Sequence, residues 1–180
     1  PSEGGHADAV AIGKEDRKLF SFIQKETKRE VVEWEDLISG RGIDKLYHFV
    51  GHLKKYKKTK YSESIKKDEE PQMLISKYKH IDPQSRDAYR LFIKFYARCA
   101  KNSALDFLPF GGIYFAGGIA ANNPEPFKHK ILVNEFLNTR KQKAILKKIP
   151  IYLIKDYNIS LYGAASIALQ KRGQNRRREK

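Results

Sequence analysis

Two short segments in which every residue is apolar place the strongest limit on the fold. They are residues 113–116 (IYFA) and 151–154 (IYLI). Short segments with no polar position are typical of strands that are buried on both faces, as in parallel sheets. Between them, residues 127–148 carry apolar side chains at helical spacing. The order strand, helix, strand predicts an α/β fold with a βαβ unit at about 112–155 and parallel strands.

Helical patterns dominate the rest of the chain. Asp82-Pro83 predicts the start of the longest helix, because an acceptor side chain can cap it and proline fits its first turn. This helix is expected to end before Pro109, and Gly40-Arg41-Gly42 is expected to stop a short helical turn. The other predicted helical segments are residues 14–28, 33–39, 43–53, 72–79 and 160–171.

Length and composition indicate a single folded domain. The chain has 180 residues, of which 41% are hydrophobic. This is enough for one domain with a core. No apolar run approaches the ~18–20 residues that span a bilayer, and no secretory signal pattern opens the sequence. The single cysteine, Cys99, excludes an intrachain disulfide and is typical of a reducing compartment. We therefore expect a cytoplasmic protein that does not enter a membrane.

The positive charge of the chain, formally +15, is concentrated in two segments. Residues 54–70 contain seven lysines and four acidic residues, which favours a solvated loop or a frayed helix end. Residues 171–180 contain six basic side chains and one acid, and we expect them to form a disordered basic tail. Such charge could also hold nucleic acid, by contacts to phosphate that weaken steeply with salt.

Two glycine pairs flank the first predicted strand. Gly111-Gly112 is most simply the turn into it. In open α/β sheets ligands bind beyond the carboxyl ends of the strands, so Gly117-Gly118 is a place where a planar group can approach the backbone. The spacing is not that of a dinucleotide-binding GxGxxG motif, and taken alone the pair favours a simple turn.

Five motifs, in this order, resemble the carboxyl-terminal part of the bacterial-type glucokinases. They are SEGGH (2–6), EDLISGRG (35–42), FGGIYFAGGIA (110–120), KIPIYLI (148–154) and LYGAASIAL (161–169). These enzymes are ATP-dependent sugar kinases with the actin-like ATPase fold. The resemblance spans residues 2–169 and implies part of an actin-like (ribonuclease H-like) lobe that is rich in helices.

The resemblance implies a sugar site formed by Glu3 and His6 of the EGGH motif and by Glu35 before the SGxG turn. In the family these side chains form hydrogen bonds with hexose hydroxyls. Carboxylates and a neutral imidazole suit that task, because each hydroxyl both donates and accepts. Without the resemblance, the same residues would be interpreted as solvated acids and a turn histidine.

The resemblance also implies a nucleotide site at the AGG turn, with ATP and Mg²⁺ as cofactors. Gly117 and Gly118 would lie against the adenosine, and Ile119 would help to cover the base. The chain departs from the family pattern at Asn122-Asn123-Pro124, in the lysine-rich segment and in the basic tail.

Two parts of the family pattern are not found in this sequence. The glycine-rich phosphate loop of the DxGGT type and the Asp that acts as general base belong to the family's amino-terminal lobe, and Asp106 does not match that base. The sequence also begins with Pro1 rather than methionine. We therefore expect residues 1–170 to be the large-lobe portion of a longer enzyme, inactive alone and without an assigned catalytic base.

The complete enzyme is expected to convert glucose and ATP to glucose 6-phosphate and ADP, and the resemblance makes a homodimer plausible. One alternative is a regulator of the same fold that binds sugar without phosphorylating it. The other is a basic nucleic-acid-binding module, which the motifs disfavour. The preferred hexose stays open, because glucose and its epimers differ in a single hydroxyl.

Overall fold

The structure is a computed structural model that describes residues 3–178, with side chains as far as residue 171. The chain forms a 3₁₀ turn at Gly4–His6 and then a series of helices with two short strands. Before the first strand the helices are α1 Gly13–Thr27, α2 Glu35–Ile38, α3 Gly40–Leu53, α4 Lys60–Lys67, α5 Pro71–Tyr78 and α6 Pro83–Phe107. The remaining elements are β1 Ile113–Phe115, α7 Gly118–Asn122, α8 Pro124–Phe127, α9 Lys130–Phe136, α10 Lys143–Leu146, β2 Ile151–Leu153 and α11 Ile159–Arg178.

The two strands pair in parallel, as the sequence predicts, with Ile113 opposite Ile151 and Phe115 opposite Leu153. The connection between them consists of α7 to α10 instead of one long helix. A new helix begins at Lys130 because the ring of His129 accepts a hydrogen bond from the Ile131 amide and caps it. The α/β class with a βαβ-type crossover is therefore found, with a more broken crossover than predicted.

The prediction that both strands are buried on both faces is wrong for the described residues. Phe115 is buried and its ring contacts that of Tyr96 in α6 at 5.0 Å. On the opposite face Tyr114 and Tyr152 are 59% and 45% exposed, and their rings stack at 4.9 Å. One face of the sheet thus packs on α6, while the other carries an exposed pair of tyrosines.

Helix α6 is the central element of the core. Its start is as predicted: the Asp82 carboxylate accepts hydrogen bonds from the amide and the hydroxyl of Ser85. Its apolar residues Leu91, Phe92 and Phe95 are fully buried. Helices α2, α3 and α5 and the crossover helices α8, α9 and α10 pack against it. Helix α6 therefore lies at the centre of the core.

A buried ionic network joins α6 to the helices on either side of it. Asp16 of α1 is fully buried, and its carboxylate accepts from Lys94 Nζ at 2.8 Å and from Arg98. Arg98 also donates to Glu135 of α9 at 2.9 Å. Burial alone would raise the pKa of Asp16, but the hydrogen bonds from these cations hold it below its usual range.

The helix stop predicted at Ser39, Gly40 and Gly42 is found, and a second helix begins at the same place. Helix α2 ends at Ile38, and the Ser39 hydroxyl accepts from the Gly42 amide at 3.0 Å as the cap of α3. Close packing leaves no room for a side chain at Gly42, since a Cβ there would lie 2.7 Å from the backbone carbonyl carbon of Leu37. The turn therefore starts α3 and lets it pack closely on α2.

The lysine-rich segment is more ordered than a solvated loop. Thr59 and Ser62 form reciprocal side-chain to backbone hydrogen bonds, and this capping box starts α4. Ile65 anchors the helix because its side chain is 2% exposed and packs into the core. The lysines nevertheless line the outer surface of this helix and of the loop before it.

Helix α11 extends beyond the predicted segment 160–171. Its backbone continues through residue 178, so residues 171–178 of the predicted disordered tail are helical, and residues 179 and 180 lie outside the described residues. Arg, Lys and Gln are good helix formers, which favours this extension. None of the helices in the described part of the chain is long and apolar enough to cross a membrane.

The packing at Gly42 leads to a matched test with Gly163. Gly42→Ala should lower the free energy of unfolding by about 1–3 kcal/mol, since the new methyl group overlaps the Leu37 backbone. Gly163→Ala in α11, where a Cβ has no neighbour within 4 Å, should raise it by up to about 1 kcal/mol. Urea unfolding followed by circular dichroism measures both, and equal effects of the two substitutions would contradict this packing.

Candidate functional site

The first described residues are held against the start of α2 by backbone pairing. The Ala9 amide donates to the Val32 carbonyl at 2.8 Å, and the Trp34 amide donates to the Ala7 carbonyl at 3.1 Å. Asp8 and Glu33 form an isolated antiparallel bridge. These contacts place the Gly4–His6 turn beside the acidic residues of α2 and of the segment before it.

The three predicted sugar-site residues come together on this surface. His6 Nε2 lies 4.0 Å from a Glu3 carboxylate oxygen. Glu35 approaches the turn itself, since its Oε2 lies 3.6 Å from the place that a Cβ on Gly5 would occupy. A fourth residue completes the cluster: Glu33 Oε2 is 2.9 Å from His6 Nδ1. We call Glu3, His6, Glu33 and Glu35 the acidic cluster.

The acidic cluster favours the protonated form of its histidine. The hydrogen bond and the charge of Glu33 raise the pKa of His6, and the carboxylates of Glu3 and Glu35 add to this effect. The cluster is open, because the side chains of Glu3 and His6 are 87% and 61% exposed. It therefore presents carboxylate acceptors and an imidazole to solvent within one short turn.

Asp36 fixes the backbone beneath the cluster. Its carboxylate is buried and accepts from Lys45, from Arg29 at 2.7 Å and from the Glu33 amide at 3.1 Å. Burial alone would raise the pKa of Asp36, but these hydrogen bonds and charges hold it below its usual range. The carboxylate contacts the backbone at Glu33, so it positions that residue toward His6.

The sequence alone does not distinguish Glu33 and Asp36 from the neighbouring acid Glu35. The available signal was weak: acidic residues at 33, 35 and 36 are equally typical of an exposed helix end. The different roles of these acidic residues depend on the tertiary structure, in which residue 8 pairs with residue 33.

The second predicted glycine pair lies at the carboxyl end of β1, as expected from the sequence. Gly117 has a φ of +96°, and its carbonyl accepts from the Ala121 amide at the start of α7. No atom lies within 4 Å of a Cβ built there, so the backbone is open on that side. A Cβ on Gly118 would lie 3.2 Å from the ring of Tyr157, and Ile119 packs partly against the core.

The first glycine pair is a turn, as the sequence indicates. The Gly112 amide donates to the Pro109 carbonyl at 2.8 Å, and its φ is +120°. A Cβ at this residue would lie 2.5 Å from the Tyr152 ring. Close packing against β2 accounts for this glycine without a ligand.

Within residues 3–178 no group of three or more His, Cys, Asp or Glu side chains is arranged to hold a metal ion.

A protein-family model described as Glucokinase matches residues 1–171. Curated relatives include glucokinases from Nostoc sp. (strain PCC 7120), 29% identical over 93% of this chain, and from Nostoc punctiforme, 30% identical over 93%. A glucokinase from Pectobacterium atrosepticum is 28% identical over 96% of the chain. The matched regions cover 53%, 53% and 51% of these relatives, so the chain spans about half the length of the curated relatives it matches.

Solved structures give the same result for the fold. A glucokinase from Balamuthia mandrillaris in complex with glucose matches 93% of this chain and 46% of its own, with a TM-score of 0.74 and 26% identity. A glucokinase from an Antarctic psychrotroph matches 92% of this chain and 49% of its own, with a TM-score of 0.72 and 24% identity. The helix-rich architecture with a small parallel sheet is thus shared with these enzymes.

The contact between His6 and Glu33 can be tested by titration. We expect the pKa of His6 to lie above the ordinary histidine value, and Glu33→Gln to move it back toward that value because the hydrogen bond and charge are removed. Since this pKa is raised, the ion pair is fully formed below the ordinary histidine pKa and is lost as pH rises through the folded-state value. Histidine ring NMR measures this titration.

Two controls accompany that titration. Glu35→Gln should lower the pKa of His6 less than Glu33→Gln does, since Glu35 acts only through its charge. His48, whose pKa is raised by the Asp44 carboxylate 3.4 Å from its Nε2, should not respond to either substitution. An unchanged His6 in Glu33→Gln would show that the contact is not formed in solution.

Proposed function

The chain belongs to the glucokinase family, and from this premise we propose that it supplies the sugar-binding and adenosine-binding parts of a hexose kinase. The complete enzyme transfers the γ-phosphoryl group of ATP to glucose and gives glucose 6-phosphate and ADP. The observation that carries the proposal is the convergence of Glu3, His6 and Glu35 on one turn, although Glu35 lies 32 positions after Glu3 in the sequence.

The acidic cluster is suited to a sugar for chemical reasons. Each hexose hydroxyl needs one acceptor and can also take one donor, and Glu3 and Glu35 supply carboxylate acceptors. Since Nδ1–H of His6 donates to Glu33, Nε2 accepts a hydrogen bond when the ring is neutral and donates one when it is protonated. Polar groups held in this way disfavour analogues that lack a hydroxyl, since the site is then left unpaired.

The adenosine site is proposed at Gly117, Gly118 and Ile119. The support is the open backbone at Gly117, at the carboxyl end of β1. A planar base or a ribose can approach there without meeting a side chain. The Tyr157 ring, near Gly118, borders the same turn.

The proposal extends to architecture and setting. We assign residues 1–170 to the large lobe of an actin-like ATPase fold, in a cytoplasmic enzyme that forms a homodimer. The general base is assigned to none of the described residues, so this chain alone is expected to be inactive. Mg²⁺, when bound, would neutralise the phosphates of ATP, and the described residues contain no group of three or more His, Cys, Asp or Glu side chains that could hold it.

The kinase assay is carried out on this chain together with whatever its reading frame encodes before Pro1. ADP formation is measured with glucose, mannose, fructose and N-acetylglucosamine. With the preferred sugar, Glu3→Gln should raise KM and lower kcat, with a loss in kcat/KM of about 10–100-fold for one charge-assisted hydrogen bond. Glu30→Gln, an exposed acid outside the cluster, is the control and should behave as the parent.

Each other outcome of this assay has a definite meaning. Unchanged kinetics in Glu3→Gln would remove Glu3 from the sugar site. A folded protein that forms no ADP with any sugar but binds glucose in calorimetry would be a sugar-binding regulator. Salt-dependent binding of nucleic acid without sugar binding would favour a basic nucleic-acid-binding module.

The nucleotide site has a matched glycine test. Gly117→Ala should raise KM for ATP at least several-fold and leave KM for the sugar unchanged, because a side chain at positive φ is strained and enters the open side of the turn. Gly111→Ala is the control, since its φ is not positive and no atom lies within 4 Å of the added Cβ. Equal effects of the two substitutions on KM for ATP would contradict the assignment.

A further inference from the structure

A cavity of about 440 Å³ lies between the first half of α6 and the segment from α8 to α9. Its lining includes none of the residues assigned to the two sites described above, and its polar lining is mainly basic. Arg86 and Arg90 lie four residues apart on one face of α6, and Ile93 continues that face. Ile131 supplies further apolar surface on the opposite wall.

The most buried cation in the wall is Lys79, whose side chain is 10% exposed. Its ammonium donates to two neutral oxygens, the Ser76 carbonyl and Asn123 Oδ1, each at 3.0 Å. The nearest carboxylate oxygen among the described residues, in the largely exposed Glu125, lies 3.9 Å away. Burial accordingly lowers the pKa of Lys79. The counter-ion of this buried ammonium group in the described part of the chain is thus a largely exposed carboxylate at the outer limit of ion-pair distance.

Arg86 adds a second available cation. In the described part of the chain its guanidinium forms no hydrogen bond or ion pair, whereas Arg90 donates to Glu15 at 2.9 Å. The acid that lines the cavity beside Arg86 is already engaged: the Asp87 carboxylate accepts from Lys54 at 2.7 Å and from Tyr56 at 2.8 Å. The lining therefore carries unpaired positive charge.

We propose that this cavity binds a small organic anion, with its phosphate or carboxylate group on Lys79 and Arg86 and its carbon part against Ile93 and Ile131. An oxyanion would accept the free donors of both cations, which are the strongest type of hydrogen bond available there. The apolar wall favours an anion with a short carbon skeleton over a bare inorganic ion.

The cavity is connected to the adenosine turn by side-chain contacts. Asn123 Oδ1 accepts from Lys79 and from the Ser76 hydroxyl, while Asn123 Nδ2 donates to the Ile119 carbonyl at 3.2 Å. Ile119 belongs to α7, which begins at Gly118. An anion bound to Lys79 therefore changes the hydrogen bonds of Asn123, and through them the position of α7. A regulatory effect of this link on nucleotide binding rests on the proposed function.

Binding is tested on the full chain without sugar or ATP, so a failed kinase assay does not affect the result. Inorganic phosphate and succinate are titrated at constant ionic strength by calorimetry and amide NMR. Saturable binding is expected, and Arg86→Gln should weaken it about tenfold, as for one charge-assisted hydrogen bond. Arg140→Gln, an exposed cation outside the cavity, should have no effect. The tighter of the two probes shows whether a phosphate or a carboxylate is preferred.

Two further measurements keep the proposal falsifiable. Lys79→Met should also abolish binding, and thermal unfolding shows whether this variant still folds; Arg86→Gln serves if it does not. At concentrations that saturate the parent, the Gly118 amide resonance should shift, and the shift in Arg86→Gln should be smaller at the same concentration. Non-saturating binding, or equal weakening by Arg86→Gln and Arg140→Gln, would overturn the site, and an unshifted Gly118 resonance would overturn the link to α7.

Discussion

The buried carboxylate of Asp16 is the interaction on which the arrangement of the helices depends. It connects α1 to α6 by accepting hydrogen bonds from Lys94 and Arg98, and Arg98 also donates to Glu135 of α9. Removing Asp16 would take away the fully buried carboxylate that Lys94 and Arg98 share, which is far more costly than losing a surface ion pair. The network therefore fixes the direction of α6, and the strands and the crossover take their places from that helix.

The proposed sugar site is held by a different means. Its turn carries no buried apolar residue, so hydrogen bonds and charges position it instead of packing. Asp36, fixed by Arg29 and Lys45, holds the backbone at Glu33, and Glu33 in turn holds His6. In this arrangement hydrogen bonds hold the backbone, and the carboxylates stay exposed to a ligand. A hydrophobic anchor at the same residues would have to be buried and would not leave them exposed.

The sequence could predict what depends on local chemistry. Asp82 and Pro83 predict where α6 begins, and the two apolar segments predict a pair of parallel strands. The residues of the candidate site came from the resemblance, because an exposed Glu3 has no pattern of its own. The Glu33 to His6 contact and the exposure of Tyr114 were missed, since both depend on which distant segments pack together. The helix end at Ser39 is as predicted, whereas the start of α3 at Gly40 is not, since a serine between two helices can both end one and cap the next.

The parallel pairing of β1 and β2 has a consequence for how the chain folds. The strands have only three residues each, yet the whole connection, residues 116–150, must be closed before they meet. Closing so long a segment costs chain entropy that so few ladder hydrogen bonds do not offset. The pair can thus form only after the crossover helices have docked on α6, which makes the carboxyl end of β1 one of the last places to become structured.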